Sequence, residues 1–114
     1  MTIRIKRVYD EPEDGDGYRV LVDRLWPRGM TKEQARVDQW LRDVAPSTEL
    51  RKEFGHDPDR FDEFAERYRS ELDANAATET LRTVTQAHDV VTLVYAAREA
   101  DHNQAVVLRD YLAD

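Results

Sequence analysis

The chain has 114 residues, of which 40% are hydrophobic and 36% charged, with a formal net charge of −7 and no cysteine. That length is about one domain, and a chain without cysteine excludes disulfides, thiolate metal ligands and cysteine nucleophiles. The acidic balance counts against nucleic-acid binding, which draws on phosphate neutralisation, and no apolar run reaches the roughly 18 residues of a membrane span.

Ile3, Ile5 and Val8 open a short strand, interrupted by Lys6-Arg7. The stretch Asp10-Glu11-Pro12-Glu13-Asp14-Gly15-Asp16-Gly17 reads as a solvated polar loop, and it lacks the spacing of a calcium loop. Tyr18 to Asp23 has the β-branched and aromatic content of a second strand, ending at Arg24-Leu25-Trp26-Pro27-Arg28-Gly29. Thr31 with Gln34 forms a capping box for a short helix starting near residue 32. Residues 37 to 44 stay open: Trp40, Leu41 and Val44 fit a helical face, yet the piece is short enough for a strand.

Ser47 caps a short helix that runs through Phe54 and stops at Gly55. Asp57 and Pro58 then start the clearest helix, whose stripe is Phe61, Phe64, Ala65, Tyr68 and Leu72. A weaker pattern, Leu81 and Val84, marks a helix ending near His88, which reads as a partner of that helix's dipole. Val90 to Ala96 is almost continuously apolar, as in a strand buried on both faces. Asp101 with Gln104 reads as a capping box for the last helix, which turns Val107, Leu108, Tyr111 and Leu112 inward.

This order predicts one α/β domain over residues 1–114, a small mostly parallel sheet flanked by helices on both faces. The first two strands are equally free to pair antiparallel across their loop. The amino terminus has no long apolar stretch, so a secretory signal is not expected and the default location is the cytoplasm.

In an open parallel sheet, ligands bind beyond the carboxyl ends of the strands. Two loops qualify: one carries Arg24, Trp26 and Arg28, the other Arg98, His102 and Asn103. If their strands are parallel neighbours, the loops share one crevice, in which arginines fork onto an anion and His102 acts as a general acid or base. Arg51 and His56 make a second cluster where one helix hands over to the next. Each residue also has a structural reading: Arg24 tied to Asp23 or Asp43, Trp26 a core plug, His102 and Asn103 a helix start, and the Gly55-His56-Asp57 turn a helix junction. The three histidines lack zinc spacing, and phosphate-loop, dinucleotide and serine-elbow motifs are absent. No cofactor or metal is expected.

Several blocks carry a resemblance: Val22-Asp23-Arg24-Leu25-Trp26-Pro27-Arg28-Gly29, Ala45-Pro46-Ser47, Phe54-Gly55-His56, Leu93-Val94-Tyr95-Ala96-Ala97 and His102-Asn103-Gln104-Ala105. Together they resemble the YeaO-like branch of domain-of-unknown-function 488, a bacterial family, along essentially the whole chain. The resemblance implies a small α/β fold and marks Arg24, Arg28, Arg51, His56, His102 and Asn103 as positions of interest. More distant relatives resemble carriers of a Cys-His-Arg step near His102-Asn103. Without a cysteine, thiol-phosphatase or rhodanese-like chemistry does not carry over to this chain.

Three functions are therefore expected to compete. The first is binding of a small phosphate- or carboxylate-bearing anion in the arginine/histidine crevice. The second is an enzyme using His102 or His56 as acid/base in the same place, and the third a regulatory or nucleic-acid adaptor, which the acidic charge disfavours. A monomer and a homodimer are both compatible with the sequence.

Overall fold

A computed structural model describes residues 2–113. The apolar run Val90–Tyr95 (β4) sits inside a four-stranded parallel sheet of order β1-β4-β2-β3, with β1 Thr2–Arg7, β2 Tyr18–Leu21 and β3 Gln39–Trp40. A strand flanked on both edges and covered on both faces has no solvated side, which is why its sequence shows no alternation. The first two strands form no hairpin. β4 inserts between them, and Leu93 faces Ile5 on one side and Val20 on the other.

The two faces are covered unequally. Val20, Val91 and Leu93 point into the main core, built with Leu50, Phe64 and Leu108 from the helices α2 (Thr48–Phe54), α3 (Phe61–Asp73) and α5 (Gln104–Ala113). Leu81 of α4 (Ala76–Ala87) joins them. On the other face Leu21 and Val94 pack with Val8, Ala35 and Trp26, beneath the single-turn helix α1 (Lys32–Ala35).

The rest of that second face is closed by the acidic loop, which is not simply solvated. Asp16 is only 1% exposed, and its Oδ2 lies 2.6 Å from Nη1 of the buried Arg19. Lys6 Nζ reaches Asp16 at 3.2 Å and Glu13 at 2.7 Å, while the Thr92 hydroxyl donates to the Asp16 carbonyl at 2.7 Å. Burial alone would raise the Asp16 pKa; the Glu13 N–H, Lys6 and Arg19 outweigh it and hold the carboxyl below its ordinary value. Gly17 makes the approach possible: its φ is +65°, and a Cβ there would sit 2.3 Å from the Val90 carbonyl oxygen.

Residues 37 to 44 resolve into the two-residue edge strand β3 and a 3-10 turn, Arg42–Val44. Two residues are too few for alternation to register in a sequence. Trp40 anchors the piece by donating its indole N–H to the Asp23 carbonyl at 2.7 Å. The Thr31/Gln34 capping box and the Ser47 cap form as their sequences require. The helix expected from Pro58 begins as a 3-10 turn, Pro58–Arg60, before α3. At the last helix Asn103, not Asp101, is the cap: its Oδ1 accepts from the N–H groups of Ala105 at 2.9 Å and Val106 at 3.2 Å. Among the described residues no helix is long and apolar enough to cross a membrane.

Candidate functional site

Beyond Val22, whose N–H still bonds the Val94 carbonyl at 3.1 Å, the β2 and β4 chains part. The Asp23 side chain bridges the gap: its Oδ2 accepts from the Ala96 N–H at 2.8 Å and its Oδ1 from the Gln104 amide. The opening left there is a cavity of about 440 Å³ at the carboxyl ends of the strands, the position where open α/β sheets hold their ligands.

Four cationic side chains line it: Arg24 and Arg28 from the loop after β2, and Arg51 and Lys52 from α2. Arg24 Nη2 donates to the Ala45 carbonyl at 3.2 Å, and its Nε is buried without a hydrogen-bond partner. Among the described residues no carboxylate forms an ion pair with any of the four. The reading that ties Arg24 to Asp23 or Asp43 is therefore not realised. Arg19, fully engaged by Asp16 and the carbonyls of Ala35 and Arg36, shows what a structural arginine looks like in this fold.

α2 holds its two cations in place from its amino end. Ser47 caps it through the Leu50 N–H at 3.1 Å and donates its hydroxyl to Glu71 of α3 at 2.6 Å. Gly55 stops the helix at φ +56°, and the next residue, His56, is also left-handed at φ +58°. A non-glycine residue in that region is strained by roughly 1–2 kcal/mol, and His56 lies in the cavity wall.

Among the described residues Asp23 is the one carboxylate in the lining. Burial pushes its pKa up to about 6, against the pull of the Ala96 N–H, the Arg51 charge and the Gln104 amide. Nothing in the sequence alone singled it out. The available signal was a carboxylate ending an apolar strand beside an arginine, at the carboxyl edge of the sheet. Lys52 was missed as well, since a lysine on a short capped helix looks solvated; its adjacency to Arg51 was the clue.

Of the expected site residues, Arg24, Trp26, Arg28, Arg51 and His56 meet in this cavity. Trp26 is half-buried, donating its indole N–H to the Met30 carbonyl at 2.7 Å and packing edge-on against Trp40. It combines core plug and cavity wall. Arg98, His102 and Asn103 lie outside the lining. Arg98 is exposed. The His102 ring packs edge-on against Phe61, with Nδ1 3.4 Å from Glu99 Oε1. Asn103 is 1% exposed, its carbonyl oxygen engaged in the cap and its NH₂ donated to the Glu99 carbonyl at 2.7 Å. His88 stacks on Tyr18 at 4.0 Å, also outside the cavity. The β4 loop does open into the crevice, but it presents Ala96 and Ala97 there, joined by Gln104 from the start of α5.

A parallel α/β sheet with a cationic cavity beyond its strand ends defines the class of protein. The chain belongs to the DUF488-N3i family, described as the inactive DUF488-N3 subclade, whose model matches residues 2–114. It is 49% identical over 110 residues to the uncharacterized protein Rv3073c of Mycobacterium tuberculosis, covering 96% of this chain and 92% of the relative. It is 45% identical over 113 residues to the uncharacterized protein YeaO of Escherichia coli, covering 98% and 97%. No solved structure gives a significant match.

Proposed function

We propose that this protein binds a small anionic ligand, bearing phosphate or carboxylate, in the cavity beyond the carboxyl ends of β2 and β4. One observation carries the reading. In a chain of net charge −7, four cationic side chains line one cavity without a carboxylate ion-pair partner among the described residues, nor does a buried guanidinium N–H of Arg24 find an acceptor among them. Buried donors of this kind are normally satisfied, and a forked guanidinium suits an oxyanion. The family's description as inactive favours binding without turnover. A cytoplasmic location and a monomer or homodimer belong to the same reading.

Acid–base catalysis in this cavity is the second reading. It is favoured by Asp23, whose pKa of about 6 suits proton transfer near neutral pH, and by His56 in the same wall. His102 has no part in it, being outside the lining.

The test is a thermal-shift screen of phosphate, sulfate, nucleotides, sugar phosphates and small carboxylates on wild type and Arg28→Ala. A ligand at about 100 times its dissociation constant adds roughly 2.7 kcal/mol, a shift of several degrees for a domain of this size. The reading expects at least one stabiliser whose effect is lost in Arg28→Ala. A panel without any stabiliser of the wild type sinks it.

A further inference from the structure

The cavity is far larger than an inorganic anion requires. A water's share of liquid volume is about 30 Å³, so a five-atom phosphate fills only a fraction of 440 Å³. Much of the remaining wall is apolar, with Tyr9, Leu25, Trp26, Pro27, Phe54 and Phe64 among its residues. The large hydrophobic side chains that are exposed among the described residues are Tyr9, at 43%, and Leu25, at 67%, and both line this cavity. Scattered exposed apolar residues need no explanation, but two gathered at one cationic cavity do.

Neither is a loose surface group by accident of chain position. Tyr9 follows β1 and donates its hydroxyl to the Arg28 carbonyl at 2.8 Å, which fixes its ring beside the loop that carries Arg24 and Arg28. The Arg7 guanidinium sits over that ring at 5.1 Å from its centroid. Leu25 lies between Arg24 and Trp26 in the chain, and all three line the cavity. Pro27, also in the lining, stiffens the same loop. Keeping a leucine two-thirds exposed there forgoes burial that the fold achieves for every other leucine except the half-buried Leu41.

We infer that the ligand is an aryl or heteroaryl phosphate or carboxylate, its ring or apolar body seated against Tyr9, Leu25 and Trp26 and its charge on Arg24, Arg28, Arg51 and Lys52. The inference rests on the anion-binding reading and specifies its ligand class. Apolar bodies in a pocket of a few hundred Å³, with a few polar groups fixing orientation, are the ordinary pattern of small-molecule sites.

The test is titration calorimetry with two matched pairs, phenyl phosphate against methyl phosphate and benzoate against acetate. Burying one face of a ring should make the aryl member of at least one pair bind about tenfold more tightly, and the pair that shows this names the head group. Leu25→Ala and Tyr9→Ala should each bring that ratio toward one, whereas Arg28→Ala should weaken both members together. Equal affinities within both pairs, with binding still lost in Arg28→Ala, overturn the ring inference and leave the anion reading standing. A ratio that persists unchanged in Leu25→Ala and Tyr9→Ala overturns the placement of the ring. If none of the four compounds binds, the ring inference falls, and the anion reading falls with it when the thermal-shift panel also holds no stabiliser.

Discussion

The Gln104 amide donates to Oδ1 of Asp23, joining the first residue of α5 to the residue two past the end of β2, 81 positions away in the chain. With Oδ2 on the Ala96 N–H, this bond closes the floor of the cavity where the ladder between β2 and β4 ends. It also holds a carboxylate in a partly buried place beside the Arg51 charge.

That position predicts an unusual pH dependence of stability. The Asp23 pKa is about 6 in the folded protein against an ordinary value near 3.8. Between those values the folded chain holds a proton that the unfolded chain has released, so stability falls as pH rises through that window. At neutral pH the ionised group costs at most about 3 kcal/mol relative to a carboxyl with no shift. Asp23→Asn should gain on the wild type as pH rises from 4.5 to 7.5, measured as the difference in Tm. Parallel Tm curves for the two proteins across that range would remove the basis of this account.

Asp16 predicts the opposite sign. Its folded pKa lies below the ordinary value, so the stability it contributes is present above about pH 4 and lost as pH falls through its folded pKa. Asp16→Ala strips the buried Arg19 of its partner, and breaking such a pair from one side costs roughly 3–5 kcal/mol. Urea denaturation should show that loss, and Asp16→Ala with Arg19→Met should recover part of it. A double variant no more stable than Asp16→Ala alone would mean the pair is not what closes this face.

His56 predicts a conflict between stability and binding. Its φ of +58° is a conformation glycine adopts without strain. His56→Gly should stabilise the fold by about 1 kcal/mol, the relieved strain being offset in part by the freer unfolded chain. The same change removes an imidazole from the cavity wall, so stabilisation by an anion should shrink. Measured together, a stability gain with undiminished anion response would leave the histidine without a role in binding.

The helix ends were legible because caps are local. Thr31 with Gln34, Ser47 with Leu50, and Gly55 as a stop each involve groups within a few residues. The capping box at Asp101 failed for an instructive reason: Asn103 takes the cap, and Gln104, its supposed partner, is drawn to Asp23 across the sheet. The acidic loop misled in the same way. Nothing near Asp16 shows that Lys6, Arg19 and Thr92 converge on it. For the cavity, the strand-end rule pointed to the edge where it opens and to Arg24, Trp26 and Arg28 in its wall. It could not say that α2 would bring Arg51 and Lys52 there while the β4 loop turned Arg98 and His102 away, since that depends on how helices pack on the sheet.

The last prediction joins Asp23 to the proposed ligand. Its neighbours are the Arg51 guanidinium from α2, the Gln104 amide from α5, the Ala96 N–H after β4 and, more remotely, the Tyr68 phenol of α3. Four cationic side chains line the cavity, and among the described residues protonating Asp23 removes the one negative charge of the lining. Anion affinity should therefore rise as pH falls through about 6. Sulfate is the suitable probe because its own charge does not change there. Its dissociation constant should drop at least about fivefold between pH 7.5 and 5.5, a coupling of ordinary size between neighbouring sites. Because His56 shares the cavity wall with Asp23, the comparison needs two variants. In His56→Gln the pH effect should persist, and in Asp23→Asn affinity should already be high at pH 7.5 and change little. If the effect instead vanishes in His56→Gln and survives in Asp23→Asn, the histidine is the titrating group and the carboxylate only closes the floor.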